Sequence, residues 1–468
     1  MYMNEKKSKD SSFSGQLGFV LAAAASAVGV GNLWRFPYFA AKDGGGIFLL
    51  TYLILLLTFG YALLSSDLAI GRRTQLSSIK AYGAMKPGWK FLGILTFMVP
   101  AIIMTYYAVI GGWITKYAVT FLTGSGAAAA QDDYFVGFIT SPVESGFYAA
   151  LFMLATAYVV YRGVERGIEA SSRIIMPVLL VTVILISLYV LTLEVHDPSG
   201  AVRTGLQGMA IYLLPNFEGL TLGKYIQIVL DAMSQMFYSL SVAMGIMITY
   251  GSYVKKDVNL NQSVSQIAIV DTAVAVLAGM MIIPAIFAFS GMEGMAAGPK
   301  LMFVSLPKVF NSLGIVGIII GAAFFLMAIF AALTSCISVL EAIVANCMEI
   351  FQAERKKVTL VVSTFYTVVT VVIALGYSLF YVEVGLPNGS TGQLLDIMDY
   401  ISTACMMPII AFLSAILIGW LVKPEWIISE MEADGSHMPR KGLYRVIIRY
   451  VAPVVMVILC LQAFGLIN

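Results

Sequence analysis

Asp271 lies deep in an apolar run, SVSQIAIVDTAVAVLAGMM. A carboxylate inside a membrane helix costs at least about 2–3 kcal/mol unless it is paired, so it predicts a cation ligand, a proton relay or a structural pairing. Three other stretches offer oxygen atoms in similar surroundings. SAVGVGNLWRFPY, residues 26–38, puts Gly29, Gly31, Asn32, Arg35 and Pro37 where an apolar helix should continue. The glycines permit close approach, and Pro37 removes a donor and disfavours helix at Phe36. Broken backbone at membrane depth is tolerated only inside protein or beside a water-filled cavity. Its freed carbonyls could bind a cation; the alternative is a glycine-packed helix contact with a proline kink. YSLSVAMG, residues 238–245, interrupts a second span with Ser239, Ser241 and Gly245. In AALTSCISVLEA, residues 331–342, Ala331, Thr334 and Ser335 share one helix face. Those hydroxyls and a carbonyl are hard ligands of the sort sodium prefers, unless the hydroxyls bond their own helix.

The elements that must hold these groups follow from composition. Of 468 residues, 59% are hydrophobic and 12% charged, with a mean hydropathy of +0.88. Soluble domains carry roughly a quarter charged residues, so this is an all-α membrane protein. Eleven spans are predicted, near 16–38, 46–70, 90–122, 146–161, 173–193, 222–252, 264–288, 315–349, 358–376, 394–422 and 443–466. Every second loop is basic, which predicts residues 1–15 in the cytoplasm and the C-terminus outside an inner membrane. Interruptions in the first and sixth spans are corresponding positions if spans 1–5 (16–193) and 6–10 (222–422) are repeats, with 443–466 added. Such pairs point to a midplane site between inverted repeats. Gly167 and Pro177 predict a local unwinding of the fifth helix, and residues 291–310 a re-entrant or lid-like hairpin. Cys336, Cys347, Cys405 and Cys460 sit in apolar windows, which favours packing over disulfides or zinc. No basic tract suits nucleic acid, and His196 and His437 lie in loops with no nucleophile–base set, against an enzyme.

Taken together, AVGVGNLWRFPY, DGGGIF (43–48), YSLSVAMG, TYGSYVKK and ALTSCIS resemble the signatures of the neurotransmitter:sodium symporter family, especially its bacterial amino acid carriers. The resemblance covers nearly the whole chain. It implies the inverted five-plus-five, leucine-transporter-like fold. It also implies a first sodium site from the Ala27 carbonyl, Asn32, Ser239, Asp271 and the substrate carboxylate. A second would use carbonyls of Ala25, Val28 and Ala331 with the Thr334 and Ser335 hydroxyls. The substrate carboxylate would meet the backbone across Gly29, Val30 and Gly31 and the Tyr107 hydroxyl. Its amino group would meet carbonyls near Ser26, Ala27, Tyr238 and Ser239. Its side chain would face Ile103, Ser241, Met244 and Val339, beside Ser335. Arg35 and Asp399, with Tyr107 and Tyr238, match an outer gate; Tyr253, Ser252, Glu349 and Phe13 match an inner one.

Departures sharpen the expectation. Gly29 stands where amine carriers have an aspartate, which favours substrates bringing their own carboxylate. Ala275 replaces a chloride-binding serine while Asp271 supplies a fixed charge, so chloride independence is expected. Phe13 and Asp10 occupy the usual tryptophan and arginine positions of the inner gate, leaving Lys9 as a partner for Glu349. The expected function is import of hydrophobic, aliphatic or aromatic, L-amino acids by alternating access through a roomy apolar pocket. Two sodium ions drive it, in a monomer or weak dimer within the bilayer. A proton-coupled carrier or a non-transporting amino acid sensor is the alternative.

Overall fold

The computed structural model describes residues 12–196, 202–291 and 301–466. Nine helices among them are long and apolar enough to cross a bilayer: α3 (Gly46–Thr74), α4 (Lys90–Leu122), α5 (Pro142–Tyr161), α6 (Val164–Leu191), α9 (Leu260–Ser290), α10 (Gly314–Phe351), α11 (Arg355–Tyr377), α12 (Leu394–Val422) and α13 (Lys441–Ala463). The remaining two predicted spans are broken. The first is α1 (Gln16–Ala27) followed by α2 (Gly31–Lys42), bent by 51°. The sixth is α7 (Leu222–Ser239) followed by α8 (Ile246–Ser252). α7 carries Lys224, Gln227 and Asp231, which keeps it out of the long apolar class. The third span keeps its predicted bounds, and the fifth begins nine residues earlier than expected, at Val164 rather than 173.

Hydrophobic side chains point outward as well as inward, as a bilayer requires: Leu185, Leu188, Phe365 and Val368 are exposed on helices whose other faces are buried. α4 runs along α10, and α1 packs on α9 and α10, so the broken helices lie against unbroken ones. Backbone with no helical partner is thereby enclosed in protein.

Two predicted loosened regions are more regular than expected. Across Gly167, α6 opens with a wide π turn, Val164–Glu169, and continues as α-helix through Pro177, so it is wound in this conformation. Of the predicted hairpin at 291–310, residues 292–300 lie outside the described residues. Its later part is helical, at Leu301–Ser305 and Leu306–Ser312, and Phe303 stacks on Phe135 at 4.9 Å and meets Trp34 and Trp113 edge-on. The four cysteines are free.

Candidate functional site

α1 stops because Val28 is extended (φ −72°, ψ 99°), and helix resumes at Gly31. Within the gap the Gly29 N–H donates to Asn32 Oδ1 at 3.1 Å, and the Val30 N–H donates to Tyr107 Oη at 3.3 Å. A Cβ at Gly29 would lie 2.5 Å from Ser335 Oγ and 2.9 Å from Tyr107 Oη; one at Gly31 would lie 2.7 Å from the Tyr238 ring. Both positions need glycine because the neighbours close on the backbone itself.

Asn32, Ser239 and Asp271 come together as expected. Asn32 Nδ2 donates to Asp271 Oδ1 at 2.8 Å, and Ser239 Oγ donates to both Asp271 carboxylate oxygens at 2.9 and 3.0 Å. Asp271 is fully buried. Its partners are neutral donors, so the charge they surround still calls for a cation. α7 ends at Ser239, beside Asp271, and the carbonyl dipoles of that end add negative potential.

The second oxygen cluster is only half as expected. Ser335 Oγ donates to the Ser26 carbonyl at 3.1 Å and reaches the Val28 carbonyl at 3.5 Å, so α10 does face the break. Thr334 Oγ1 bonds its own helix, at the Phe330 and Ala331 carbonyls (3.0 and 3.1 Å). Ala25 and Ala331 are both buried.

α7 and α8 are separated by a strained stretch: Ser241 (φ 53°) and Ala243 (φ 60°) are left-handed without being glycine, followed by Gly245 (φ 72°). Such residues cost of order 1–3 kcal/mol each and persist only when held. Asp67 of α3 holds this one by accepting from the Ala243 N–H at 3.0 Å. Between the two breaks lies a cavity of about 30 Å³, lined by residues that include Ser26, Ala27, Gly29, Gly31, Ile103, Tyr107, Tyr238, Ser241, Met244, Ser335 and Val339. All were anticipated; Ile246 and Ser338, which also line it, were not. The cavity is contracted, with room for about two waters, and its floor is richer in hydroxyls than a roomy apolar pocket.

A family model described as the sodium:neurotransmitter symporter family matches residues 10–133 and 141–467. The chain belongs to the sodium:neurotransmitter symporter family. It is 33% identical over 463 residues to an uncharacterized sodium-dependent transporter, YhdH, of Bacillus subtilis, covering 97% of this chain and 98% of that one. A Haemophilus influenzae sodium-dependent transporter, also uncharacterized, is 31% identical over 439 residues, 90% and 92% of the two chains. The crystal structure of MhsT in complex with L-phenylalanine superposes with a TM-score of 0.83 at 34% identity, covering 97% of this chain and 99% of that one. The symporter is therefore a sodium-dependent membrane transporter with the leucine-transporter-like fold, not an enzyme.

In this symporter the two sides of the site differ. Arg35 and Asp399 are not paired. Arg35 Nη2 donates to Ser234 Oγ at 2.8 Å, and Asp399 accepts from the Tyr106 hydroxyl at 2.7 Å, across a cavity of about 310 Å³ that both line. Tyr238 lies under the Arg35 guanidinium, 5.3 Å from ring centre to Cζ. Near this mouth, burial and the neighbouring Asp231 push the Asp43 carboxyl up to about 7, with Lys42 opposing them; Lys42 itself pairs with Asp231 at 2.6 Å.

The opposite side is tied shut. Phe13 is buried against Phe19, Tyr250 and Tyr253. Ser252 Oγ bonds the Thr249 carbonyl. A carboxylate not anticipated, Glu341, meets Tyr253: the Tyr253 hydroxyl donates to Glu341 Oε1 at 2.5 Å, and Arg355 grips the same carboxylate at 2.6 and 2.8 Å. Glu349, two turns further along α10, accepts from the Ser77 N–H at 2.8 Å. Lys9 and Asp10 lie outside the described residues. A second tie was not anticipated. Glu169 of α6, 2% exposed, accepts from the Ser14 N–H (2.8 Å), the Ser14 hydroxyl (2.5 Å) and Arg173 (2.7 Å). Asp67 and Glu341 carry the same signal as Asp271, a carboxylate in an apolar helix, whereas Glu169 lies among Arg162, Glu165, Arg166 and Arg173 and carries no such signal.

Proposed function

We propose that this transporter couples inward sodium movement to import of hydrophobic L-amino acids, aliphatic or aromatic, without needing chloride. The observation that carries the reading is Asp271, a buried carboxylate held by Asn32 and Ser239 where two broken helices meet. A fixed negative charge beside a sodium ion does the work that a bound anion would otherwise do. The structural neighbour in complex with L-phenylalanine supports an amino acid in the cavity.

Each end of an amino acid then finds its complement. Its carboxylate faces the Gly29–Gly31 backbone, the start of α2 and the Tyr107 hydroxyl, where N–H groups and the helix dipole favour an anion. Its ammonium faces carbonyls at the ends of α1 and α7. One sodium takes the Ala27 carbonyl, Asn32, Ser239 and Asp271. A second takes carbonyls of Ala25, Val28 and Ala331 with Ser335 and Thr334, whose hydroxyl oxygen keeps its lone pairs while its proton bonds its own helix. Filling the site draws Tyr107 and Tyr238 together and brings Arg35 to Asp399. Release follows when the Phe13–Tyr253–Glu341 and Ser14–Glu169 ties part and α6 loosens between Gly167 and Pro177. Residues 16–193 and 222–422 act as inverted repeats, with the N-terminus cytoplasmic.

Sodium titration of amino acid binding to the purified transporter, in chloride and in gluconate, tests this. Equal affinities in the two media agree with the proposal; a clear loss in gluconate refutes chloride independence. Binding that saturates with protons at zero sodium favours a proton-coupled carrier.

A further inference from the structure

Besides Ser335, three serines line the central cavity and are taken here as its floor: Ser26 of α1, Ser241 in the break after α7, and Ser338 of α10. Each is at most 5% exposed. Ser26 Oγ donates to Ser338 Oγ at 2.7 Å, Ser338 Oγ donates to the Ser335 carbonyl at 2.8 Å, and Ser241 Oγ donates to the Ser26 carbonyl at 3.4 Å. A hydroxyl has one proton and two lone pairs. All three protons are committed to protein oxygens, so what remains for a guest is acceptor capacity. Among the described residues no group donates to the hydroxyl oxygen of Ser26 or Ser241. Beside this floor Ile103, Met244, Ile246 and Val339 give the lining an apolar part.

We infer that the serine floor selects, among hydrophobic amino acids, those whose side chain carries a hydrogen-bond donor. These are tyrosine, through its phenol, and tryptophan, through its indole N–H, in preference to phenylalanine and leucine. The inference rests on the proposed amino acid substrate and narrows it. An aromatic body suits the apolar walls and a donor suits the lone pairs beneath them. A purely hydrocarbon side chain would leave that acceptor capacity unused away from water, which disfavours an analogue lacking the donor. The contracted size of the cavity does not oppose an aromatic guest, because the unbranched Met244 side chain can swing aside. Polarity of the floor is fixed more firmly, since Ser26 and Ser338 bond to each other and Ser338 to its own helix.

Competition binding at saturating sodium, with tyrosine, tryptophan, phenylalanine and leucine on wild type, Ser26→Ala, Ser241→Ala and Ser26→Thr, tests it. Tyrosine or tryptophan should bind at least about tenfold tighter than phenylalanine, about one good hydrogen bond. That ratio should shrink to about twofold or less in Ser26→Ala or Ser241→Ala and persist in Ser26→Thr. Should an alanine variant fail to fold, the wild-type ratio still decides. Sodium-dependent binding in which phenylalanine matches both donors, or a ratio that survives both alanine variants, overturns the inference and leaves the amino acid reading standing. Sodium-dependent binding of none of the four overturns both.

Discussion

Asp271 was legible because a carboxylate amid apolar residues is expensive enough to need a reason. Replacing it with asparagine keeps the shape and removes the charge. Asp271→Asn should weaken sodium affinity at least about tenfold, read by sodium titration of substrate binding; unchanged affinity would mean the carboxylate is structural. Gly29→Ala should abolish substrate binding, since the new Cβ would meet Ser335 Oγ at 2.5 Å, whereas Gly223→Ala, with open space around it, should bind normally. The same cost argument applies to Asp67 and Glu341, but their partners lie far off in sequence: Ala243 is 176 residues from Asp67, and Tyr253 is 88 from Glu341. Sequence shows that such a charge needs a partner; only the fold shows which. The serine floor was less legible still, because Ser338 reads as an ordinary helix hydroxyl until α1 is laid against it.

Helix breaks were readable from glycine, serine and proline interrupting apolar runs, and both appear where the residues place them. The fifth helix was readable only in part. Gly167 and Pro177 mark a segment able to open, yet here it is wound, with Glu169 held by Ser14, 155 residues away. Glu169→Gln keeps one acceptor and loses the charge shared with Arg173. It should raise hydrogen exchange across residues 164–177 and favour the conformation open on the Phe13 side; unaltered exchange would show that this tie does not restrain the helix. The link between α2 and α3 makes a pH prediction. Asp43 is raised from 3.8 to about 7 by burial and by Asp231, so the neutral acid is the favoured folded form. Stability it confers is present at low pH and is lost as pH rises through about 7. The melting temperature should therefore fall between about pH 4 and pH 7, level off above that, and fall less in Asp43→Asn.

Across the whole molecule, the site is shared between broken helices and the unbroken ones beside them, with unequal ends. Toward Arg35 and Asp399 there is an open cavity of about 310 Å³; toward Phe13 there are aromatic contacts and two carboxylate-centred ties. A carrier needs these two ends to close in alternation, so that bound sodium and substrate cross together. Sodium binding should then strengthen amino acid binding and amino acid should strengthen sodium binding by the same factor. The most direct test is accumulation of labelled amino acid by proteoliposomes under an inward sodium gradient, with gluconate in place of chloride. Uptake should exceed the external concentration, collapse when the sodium gradient is dissipated, and be lost in Asp271→Asn. Accumulation driven by a pH gradient at zero sodium, or absent until chloride is restored, would contradict sodium coupling without chloride.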